Sequence, residues 1–485
     1  MTRFFAFGLL CLLLLAGCGD SAGHKEIRFA MAQAPLNLDP RYATDAASER
    51  VNRLIYHALV DFDEHSKPRP DLASWQQLSA THYRFRLSQH GRRFHDGSTL
   101  GAQDVAATYQ SLQALRNSPH TAEFSNISSV QAIDADTVDF MLHAPDDGFP
   151  ARLIIGILPA TLIESNYDFA HQPIGSGPLK FISWKSALRL ERLQDRQLFV
   201  LQEVRDPTVR VLKLLRGEID LLQGDLPPEL VGYLQKQSAI EVSYSAGSNF
   251  SYLGFNLQDP QLKNPLIRQA VAHAIDRPAI IRHALVNGSR EAGAILPPEH
   301  WAGNPELKPY EYDPALARQL LQKAGVQLPL KLVYKTSTDA QRVRLATMMQ
   351  AQMRPAGIEL EIRSLDWGTF FDDIKHGKFQ LYGLTWVGIK TPEIYRLAFH
   401  SDSVPPKGAN RGVFQDRHMD ALIVQAGAGE AGSWREVAAY AHAALPYAPL
   451  WYEGQFAARR RDISGYSLRP DGNWDGLVTV KRVRE

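Results

Sequence analysis

Three short stretches of this sequence contain residue types that are used in chemistry. His95 and Asp96 are adjacent in FHDGSTLGAQDV (94–105), a pairing suited to proton transfer or to metal binding. Ser176 lies in the glycine-rich IGSGP (174–178), which could form a phosphate-binding loop. In TWVGIKTPE (385–393), Trp386 and Lys390 stand on either side of a glycine, so an aromatic surface and a charge are available to grip a solute.

Local structure explains the first two stretches better than chemistry does. Asp96-Gly97 is typical of a turn, and Gly101 suits a helix N-cap with Asp104 near the positive end of the helix. IGSGP is not followed by Lys-Ser/Thr, and Pro178 prevents a helix from starting there. The 16 histidines include no HExxH and the two cysteines form no metal-binding pair. The sequence therefore predicts no catalytic centre, no metal site and no cofactor.

Alternating strand-like and helix-like patterns must position the third stretch. HYRFRLSQ (82–89) and DTVDFMLH (136–143) alternate as half-buried strands do, and KEIRFAMA (25–32) predicts another strand. DPTVRVLKLLRG (206–217) and DPALARQLLQKAG (313–325) each begin with Asp-Pro and end on Gly, as helices often do. NPLIRQAVAHAID likewise begins with Asn264-Pro265. KFQLYGLT, just before Trp386, resembles the end of a strand, which places the Trp and Lys on a loop at a rigid edge.

Length and composition define the class of protein. A chain of 485 residues is too long for one ordinary core, so two or three domains are expected. Hydrophobic residues make up 45% and charged residues 22%, as in globular proteins. Lys and Arg total 53 against 52 Asp and Glu, a balance that predicts neither a nucleic-acid partner nor a polybasic membrane patch.

The N-terminus resembles a bacterial lipoprotein signal. Arg3 precedes an apolar run from Phe4 to Leu15, which is too short to span a membrane. Leu15-Ala16-Gly17-Cys18 then matches the lipobox, in which the cysteine is acylated. Residues 1–17 are therefore predicted to be a signal peptide, and Cys18 to anchor the chain in the cell envelope, at the outer leaflet of the inner membrane or at the outer membrane. A plain secretory signal or a short membrane helix is the alternative.

Six phrases occur in one characteristic order behind this signal. They are PLNLDPRYATD (35–45), RFRLSQHGRRFHDGSTLGAQDVAATYQSL (84–112), PIGSGPLKFISW (173–184), LRGEIDLL (215–222), YLGFN (252–256) and IRQAVAHAIDRPAI (267–280). Together they resemble the bacterial extracellular solute-binding proteins of family 5, the oligopeptide- and dipeptide-binding lipoproteins of ABC importers. The resemblance extends over essentially the whole mature chain.

This resemblance implies an α/β fold. We expect the two-lobed clamshell of the periplasmic binding proteins (type II, cluster C-like) with an extra α/β domain inserted in the first lobe. The first lobe would be discontinuous and comprise residues 24–60, 167–258 and 456–485. The inserted domain would comprise 61–166 and the second lobe 259–455. The chain would cross between the lobes near 256–264 and near 449–458.

TWVGIKTPE aligns with the phrase that recognises the ligand in peptide-binding relatives. There a Trp is followed two or three residues later by an Asp that pairs with the peptide α-ammonium group. Here Trp386 is present, but Ile389 and Lys390 follow it, and no carboxylate occurs before Glu393. A buried ammonium without its counter-charge is costly, so the usual anchor for a free N-terminus is missing.

The resemblance also places other residues at the cleft. Arg411, next to Asn410 in GANRGVF (408–414), could bind a carboxylate or phosphate bidentately, or lie on the surface. Asn256 could contact a ligand or lock the crossing segment. The predicted ligand-binding residues are Trp386, Tyr252, Asn256, Lys390, Asn410 and Arg411. Together, Lys390 and Arg411 favour an anionic or neutral ligand over a zwitterionic peptide.

The implied function is capture, by a monomer without enzymatic activity, of a peptide or peptide-like solute for delivery to an ABC permease. One alternative is the same clamshell binding a non-peptide solute such as an opine, a sugar conjugate or a metal chelate. Others are an envelope chaperone or sensor without a transport role, and an envelope hydrolase. The absence of a nucleophile–base or metal motif from the sequence disfavours the hydrolase.

Overall fold

The structure is a computed structural model that describes residues 26–43, 45–115, 118, 120–121, 123–429 and 431–483. The predicted signal peptide, 1–17, and Cys18 lie outside the described residues. Across the described ranges, no helix has the length and apolar character needed to cross a membrane. The strands are β1 Ile27–Met31, β2 Val60–Phe62, β3 Pro68–Pro70, β4 Ala73–Ser79, β5 His82–Leu87, β6 Ile127–Ala132, β7 Thr137–Leu142, β8 Leu179–Trp184, β9 Leu188–Arg192, β10 Leu198–Glu203, β11 Leu221–Gln223, β12 Ile240–Phe255, β13 Arg290–Glu291, β14 Leu330–Ser337, β15 Ile358–Leu365, β16 Leu381–Trp386, β17 Tyr447–Arg460, β18 Ile463–Ser464 and β19 Lys481–Arg482.

The helices begin where the sequence places capping residues. Asp206, Asn264 and Asp313 each accept a hydrogen bond from a backbone N–H of the first helical turn, which confirms three predicted starts. The α-helices are Ala46–Ile55, Ala102–Ala114, Ala160–Glu164, Pro207–Leu215, Pro228–Gln235, Pro265–His273, Arg277–Ala284, Pro314–Lys323, Ala340–Met353, Trp367–Lys375, Ile394–Phe399, Arg417–Gly427 and Ala431–Ala444, with 3₁₀ turns at Phe149–Arg152, Arg354–Ala356, Ser401–Ser403 and Asp475–Val478.

One 11-stranded sheet runs through both halves of the molecule. Its order is β15-β14-β16-β12-β17-β11-β1-β10-β9-β8, with β13 beside β17. β15, β14 and β16 are mutually parallel at one end, and β10, β1 and β11 are parallel nearer the other end. Buried residues fill both faces of each half. A separate four-stranded sheet, β4-β5-β7-β6, packs with the helix Ala102–Ala114 around its own core.

Two long strands belong to both halves. The first part of β12, Ile240–Ser245, pairs with the last part of β17, whereas Asn249–Phe255 pairs with β16 and the first part of β17. The pairing register breaks between Ser245 and Asn249. A Cβ on Gly247 would lie 1.5 Å from the carbonyl oxygen of Glu453, so the strands approach here as closely as only glycine permits.

This break supports a crossing point that differs from the expected one. Residues 249–255 hydrogen-bond to β16 and pack with the core of the half that contains residues 259–455. We therefore propose that the chain first changes lobe at 246–248, rather than near 256–264 or at the 258/259 boundary. The sequence pattern of β12 is continuous, so only its pairing partners reveal the change. The other lobe and domain boundaries stay predictions.

Candidate ligand-binding site

The loop 387–393 leaves the sheet at the carboxyl end of its parallel strands. β15, β14 and β16 end at Leu365, Ser337 and Trp386 on the same edge. In open α/β sheets, ligands bind in the crevice outside this edge. Trp386 is the last residue of β16 and pairs with Phe250, one residue from the register break between the lobes. The loop therefore lies at the junction of the two halves.

A stack of aromatic rings supports Trp386. Its ring lies 6.4 Å from the ring of Tyr252, at an interplanar angle of 17°. Tyr252 in turn stacks on Tyr447 with centroids 4.0 Å apart, and only 1% of its surface is exposed. Of the two predicted aromatic wall residues, Trp386 is half-buried at the edge and Tyr252 lies beneath it as a support. The structure brings these two residues together with Arg411.

Arg411 is half-buried between aromatic faces. Its Cζ lies 5.1 Å from the centroid of the Trp386 ring and 5.5 Å from that of Phe371. Its Nη1 donates a hydrogen bond to the Tyr252 hydroxyl at 3.2 Å. Phe371 stacks on Trp367, which is 59% exposed, so the rings around Arg411 extend to the surface. Phe371 and Trp367, on the helix Trp367–Lys375, were not predicted to be near the site.

Lys390 is bound by a carboxylate from the other lobe. Its Nζ forms an ion pair with Asp471, and the two side chains are 21% and 9% exposed. Asp471 also accepts a hydrogen bond from the backbone N–H of Asn473 at 2.9 Å. Burial raises the pKa of the Asp471 carboxyl, but Lys390 and this hydrogen bond outweigh burial, so the pKa is lowered. Lys390 therefore bridges the lobes instead of standing free in the cleft.

His300 holds the same loop from within its own lobe. Its Nε2 lies 3.0 Å from the carbonyl oxygen of Lys390, and its Nδ1 accepts a hydrogen bond from the backbone N–H of Ala302. Nδ1 thus carries no proton and Nε2 donates. Burial lowers the pKa of His300, which is consistent with this neutral tautomer.

Glu393, the first carboxylate after Trp386, is engaged by two guanidinium groups. Its carboxylate lies 3.9 Å from Arg152 and 3.7 Å from Arg396. Burial raises the pKa of Glu393, and the two guanidinium groups oppose that rise. Because the residues beside Arg152 pack in the core of the four-stranded sheet, this pair links that core to the loop 387–393.

The two predicted asparagines have their polar groups engaged within the protein. Asn410 is 1% exposed, donates to the carbonyls of His400 and Phe414, and accepts from the backbone N–H of Phe414. It fixes the turn that presents Arg411. Asn256 donates to the carbonyls of Gly377 and Phe379. β12 pairs Phe250 with Trp386, and Asn256 follows six residues after Phe250. At the usual rise of a strand, Asn256 therefore lies about 20 Å from the loop.

A further carboxylate at this edge was not predicted. Glu453, in β17, accepts hydrogen bonds from Ser251 Oγ at 2.6 Å, Thr385 Oγ1 at 3.0 Å and Arg342 Nη1 at 3.0 Å. Burial raises the pKa of Glu453, but Arg342 and the hydroxyls outweigh it and lower the pKa. WYEGQF carries no pattern that distinguishes this glutamate from a surface residue, so only the strand pairing reveals it.

The stretches around His95 and Ser176 are structural. His95 Nε2 lies 2.9 Å from the carbonyl oxygen of Gly177, and Asp96 accepts from the N–H and hydroxyl of Ser98 in a turn. A Cβ on Gly175 would lie 2.1 Å from the carbonyl oxygen of Ile55, so this loop packs tightly on a helix end. In the described part of the chain, no group of three or more His, Cys, Asp or Glu could hold a metal ion.

The fold and the site at the junction of two lobes define a class of binding protein. The sequence model of the bacterial extracellular solute-binding proteins, family 5, matches residues 67–404. The match covers more than half of the chain, and the chain therefore belongs to this family of extracellular or periplasmic binding proteins of ABC transporters. The predicted family and the predicted two-lobed type II fold with its inserted domain are confirmed.

Individual relatives align over nearly the full length. The glutathione-binding protein GsiB of Escherichia coli (strain K12) is 25% identical, covering 94% of each chain. The periplasmic binding protein DppA of Helicobacter pylori, solved with the peptide STSA, has 25% identity and a TM-score of 0.79, covering 95% of this chain and 98% of its own. The substrate-binding protein CtaP of Listeria monocytogenes has 22% identity and a TM-score of 0.85, with 95% and 100% covered.

Proposed function

We propose that this chain is the substrate-binding lipoprotein of an ABC importer, anchored through Cys18. It encloses a peptide or peptide-like solute between two hinged lobes and delivers it to a permease. The position of Trp386 carries this proposal. A half-buried aromatic ring, stacked on Tyr252, ends a parallel strand at the point where the two lobes meet. Such a surface suits the apolar wall of a solute pocket.

The contacts across the junction support a closing motion. Lys390 reaches Asp471, and Arg152 reaches Glu393. His65, which follows β2, lies 3.3 Å from the carbonyl oxygen of Glu299 on the other side. The connections between the lobes are the two long strands β12 and β17. A hinge in these strands lets a solute shift the equilibrium towards the closed form, which the permease then recognises.

A second candidate is the same clamshell with a non-peptide solute. The observation that favours it is the engagement of Glu393 by Arg152 and of Asp471 by Lys390, which leaves neither carboxylate free for a peptide ammonium. Native mass spectrometry of protein purified from its own envelope distinguishes the two. A co-purifying peptide supports the first candidate, and a small non-peptide solute supports the second.

Calorimetry with the co-purified solute tests the position of the pocket. We expect Trp386→Ala to weaken binding by about 2 kcal/mol, roughly 30-fold, because the aromatic wall is removed. Trp184→Ala is the matched control, since Trp184 is also half-buried in a strand but ends β8, at the far edge of the sheet. Equal affinity in the Trp386 variant and the wild type would show that this loop does not line the pocket.

A further inference from the structure

Among the described residues around the loop 387–393, Arg411 forms no ion pair with a carboxylate. Three carboxylates contact this loop or the strands beside it, and each is paired with a basic side chain. The pairs are Asp471 with Lys390, Glu393 with Arg152, and Glu453 with Arg342. Asp366, at the end of β15, accepts a hydrogen bond from the backbone N–H of Thr369 in the helix that it caps. Among the described residues, no ion pair within 4.0 Å includes Arg411.

The surroundings of Arg411 supply aromatic faces and the hydroxyls of Tyr252 and Tyr382. Its guanidinium lies near the rings of both Trp386 and Phe371, and the tyrosine hydroxyls take only part of its five donors. Trp386 adds another donor, because its Nε1 is buried and has no hydrogen-bond partner in the described structure. Among the described residues, the Trp386 indole thus lacks an acceptor, and the neighbouring Arg411 guanidinium has donors beyond those that the tyrosine hydroxyls take.

This arrangement is costly unless something completes it. A guanidinium keeps its charge at every pH at which proteins are folded, and a half-buried charge is better tolerated when it is paired. Contact with the two rings positions the guanidinium, and a guanidinium can bind a planar anion bidentately through its N–H donors. A carboxylate matches this geometry, and it also supplies the acceptor that the Trp386 indole lacks.

We propose that Arg411 and Trp386 form a subsite for a carboxylate group of the transported solute. This inference rests on the proposed solute-binding function and adds the chemical class of the ligand. The solute is an anion that is recognised through its carboxylate. A free ammonium group is not required, because Lys390 already occupies Asp471 and Arg152 occupies Glu393.

Calorimetry with paired probes tests the subsite. The probes are tri-alanine and N-acetyl-tri-alanine, each as the free acid and as the C-terminal amide. We expect the acids to bind roughly 10- to 100-fold more tightly than the amides, as the loss of a charged hydrogen bond implies. N-acetylation is expected to cost no affinity. Arg411→Gln is expected to remove the difference between acid and amide, and Arg411→Lys to restore part of it.

Lys375→Gln is the matched control. The Nζ of Lys375 lies 5.7 Å from the same Phe371 ring, so this variant removes one positive charge nearby without touching Trp386. It is expected to keep the preference for acids. The melting temperature of the unliganded Arg411→Gln protein shows whether that variant folds.

Two results would overturn the subsite. One is the absence of a preference for acids in the wild type, including the case in which no probe binds, and the other is an unchanged preference in Arg411→Gln. The proposed function is judged separately by the solute that co-purifies from the envelope. A neutral or cationic solute contradicts the carboxylate subsite and leaves the importer role standing. A protein that carries no solute and binds no probe contradicts both.

Discussion

The ion pair between Lys390 and Asp471 gives a sharp test of closure. Lys390 belongs to the loop after β16, which His300 ties to the second lobe. Asp471 lies in the C-terminal segment, where the neighbouring Gly472 carbonyl accepts from Gln223 of β11 in the first lobe. Breaking this pair should therefore favour the open form. We expect Lys390→Gln to lower the ratio of closed to open protein when no solute is present.

The exposure of the two side chains sets the size of the expected free-energy change. Exposed pairs contribute about 0–1 kcal/mol, whereas breaking a fully buried pair costs about 3–5 kcal/mol. The Lys390 and Asp471 side chains are 21% and 9% exposed, which lies between these cases. We expect about 1–2 kcal/mol, or roughly a 5- to 30-fold change in the ratio. The double variant Lys390→Gln/Asp471→Asn should recover part of this loss, because it leaves no uncompensated carboxylate.

Single-molecule fluorescence transfer between one label on each lobe measures the ratio directly. Lys213→Gln is the matched control, since its Nζ lies 2.6 Å from Glu218 in a pair confined to the first lobe. Equal closed fractions in the Lys390→Gln variant and in the control would refute the proposal that this ion pair stabilises the closed form. The Lys390→Gln variant also leaves the Asp471 carboxylate available. Binding of peptides with free N-termini is therefore expected to improve relative to binding of their N-acetylated forms.

The same pair predicts how closure depends on pH. The pKa of Asp471 is lowered in the closed arrangement, mainly because Lys390 offsets the effect of burial. A lowered pKa means that the ion pair stabilises closure above the ordinary carboxyl value of about 4. This stabilisation is lost as the pH falls through the lowered pKa. The closed fraction of the wild type should therefore decline in acid, and that of Asp471→Asn should decline less.

Three further predictions concern folding and anchoring. Asn410→Ala should lower the free energy of unfolding by about 2–3 kcal/mol, because buried backbone groups of His400 and Phe414 lose their hydrogen-bond partners. Urea denaturation measures this change, and an unchanged denaturation midpoint would contradict the prediction. Gly247→Ala should lower the melting temperature, since its Cβ would lie 1.5 Å from the Glu453 carbonyl oxygen. A variant whose melting temperature in a calorimetric scan equals that of the wild type would contradict so close an approach. Cys18→Ala should abolish partition into a detergent phase, and a protein that still partitions there would not be anchored through this cysteine.

Local features were predictable wherever neighbouring residues decide them. Asp206, Asn264 and Asp313 start helices because a side-chain oxygen, a proline and an apolar face lie within one turn of each other. The turn at Asp96-Gly97 and the cap at Gly101 followed from the same kind of local chemistry. The sequence predicts the first crossing between lobes near 256–264, whereas we propose 246–248, because the pairing register of β12 breaks between Ser245 and Asn249 within one continuous strand.

At the site, the sequence by itself determined the family, the loop that carries Trp386 and the absence of an acidic residue after it. Only the tertiary structure decided what that absence means. Lys390 meets Asp471, 81 residues further along the chain, while Arg411 lies against Trp386 and has no carboxylate partner among the residues that the structure describes. Charge pairing depends on distances across the fold, and the spacing of residues along the chain does not contain those distances. The lysine that replaces the expected acidic anchor in the sequence forms, in the folded protein, an internal ion pair with Asp471 close to Arg411.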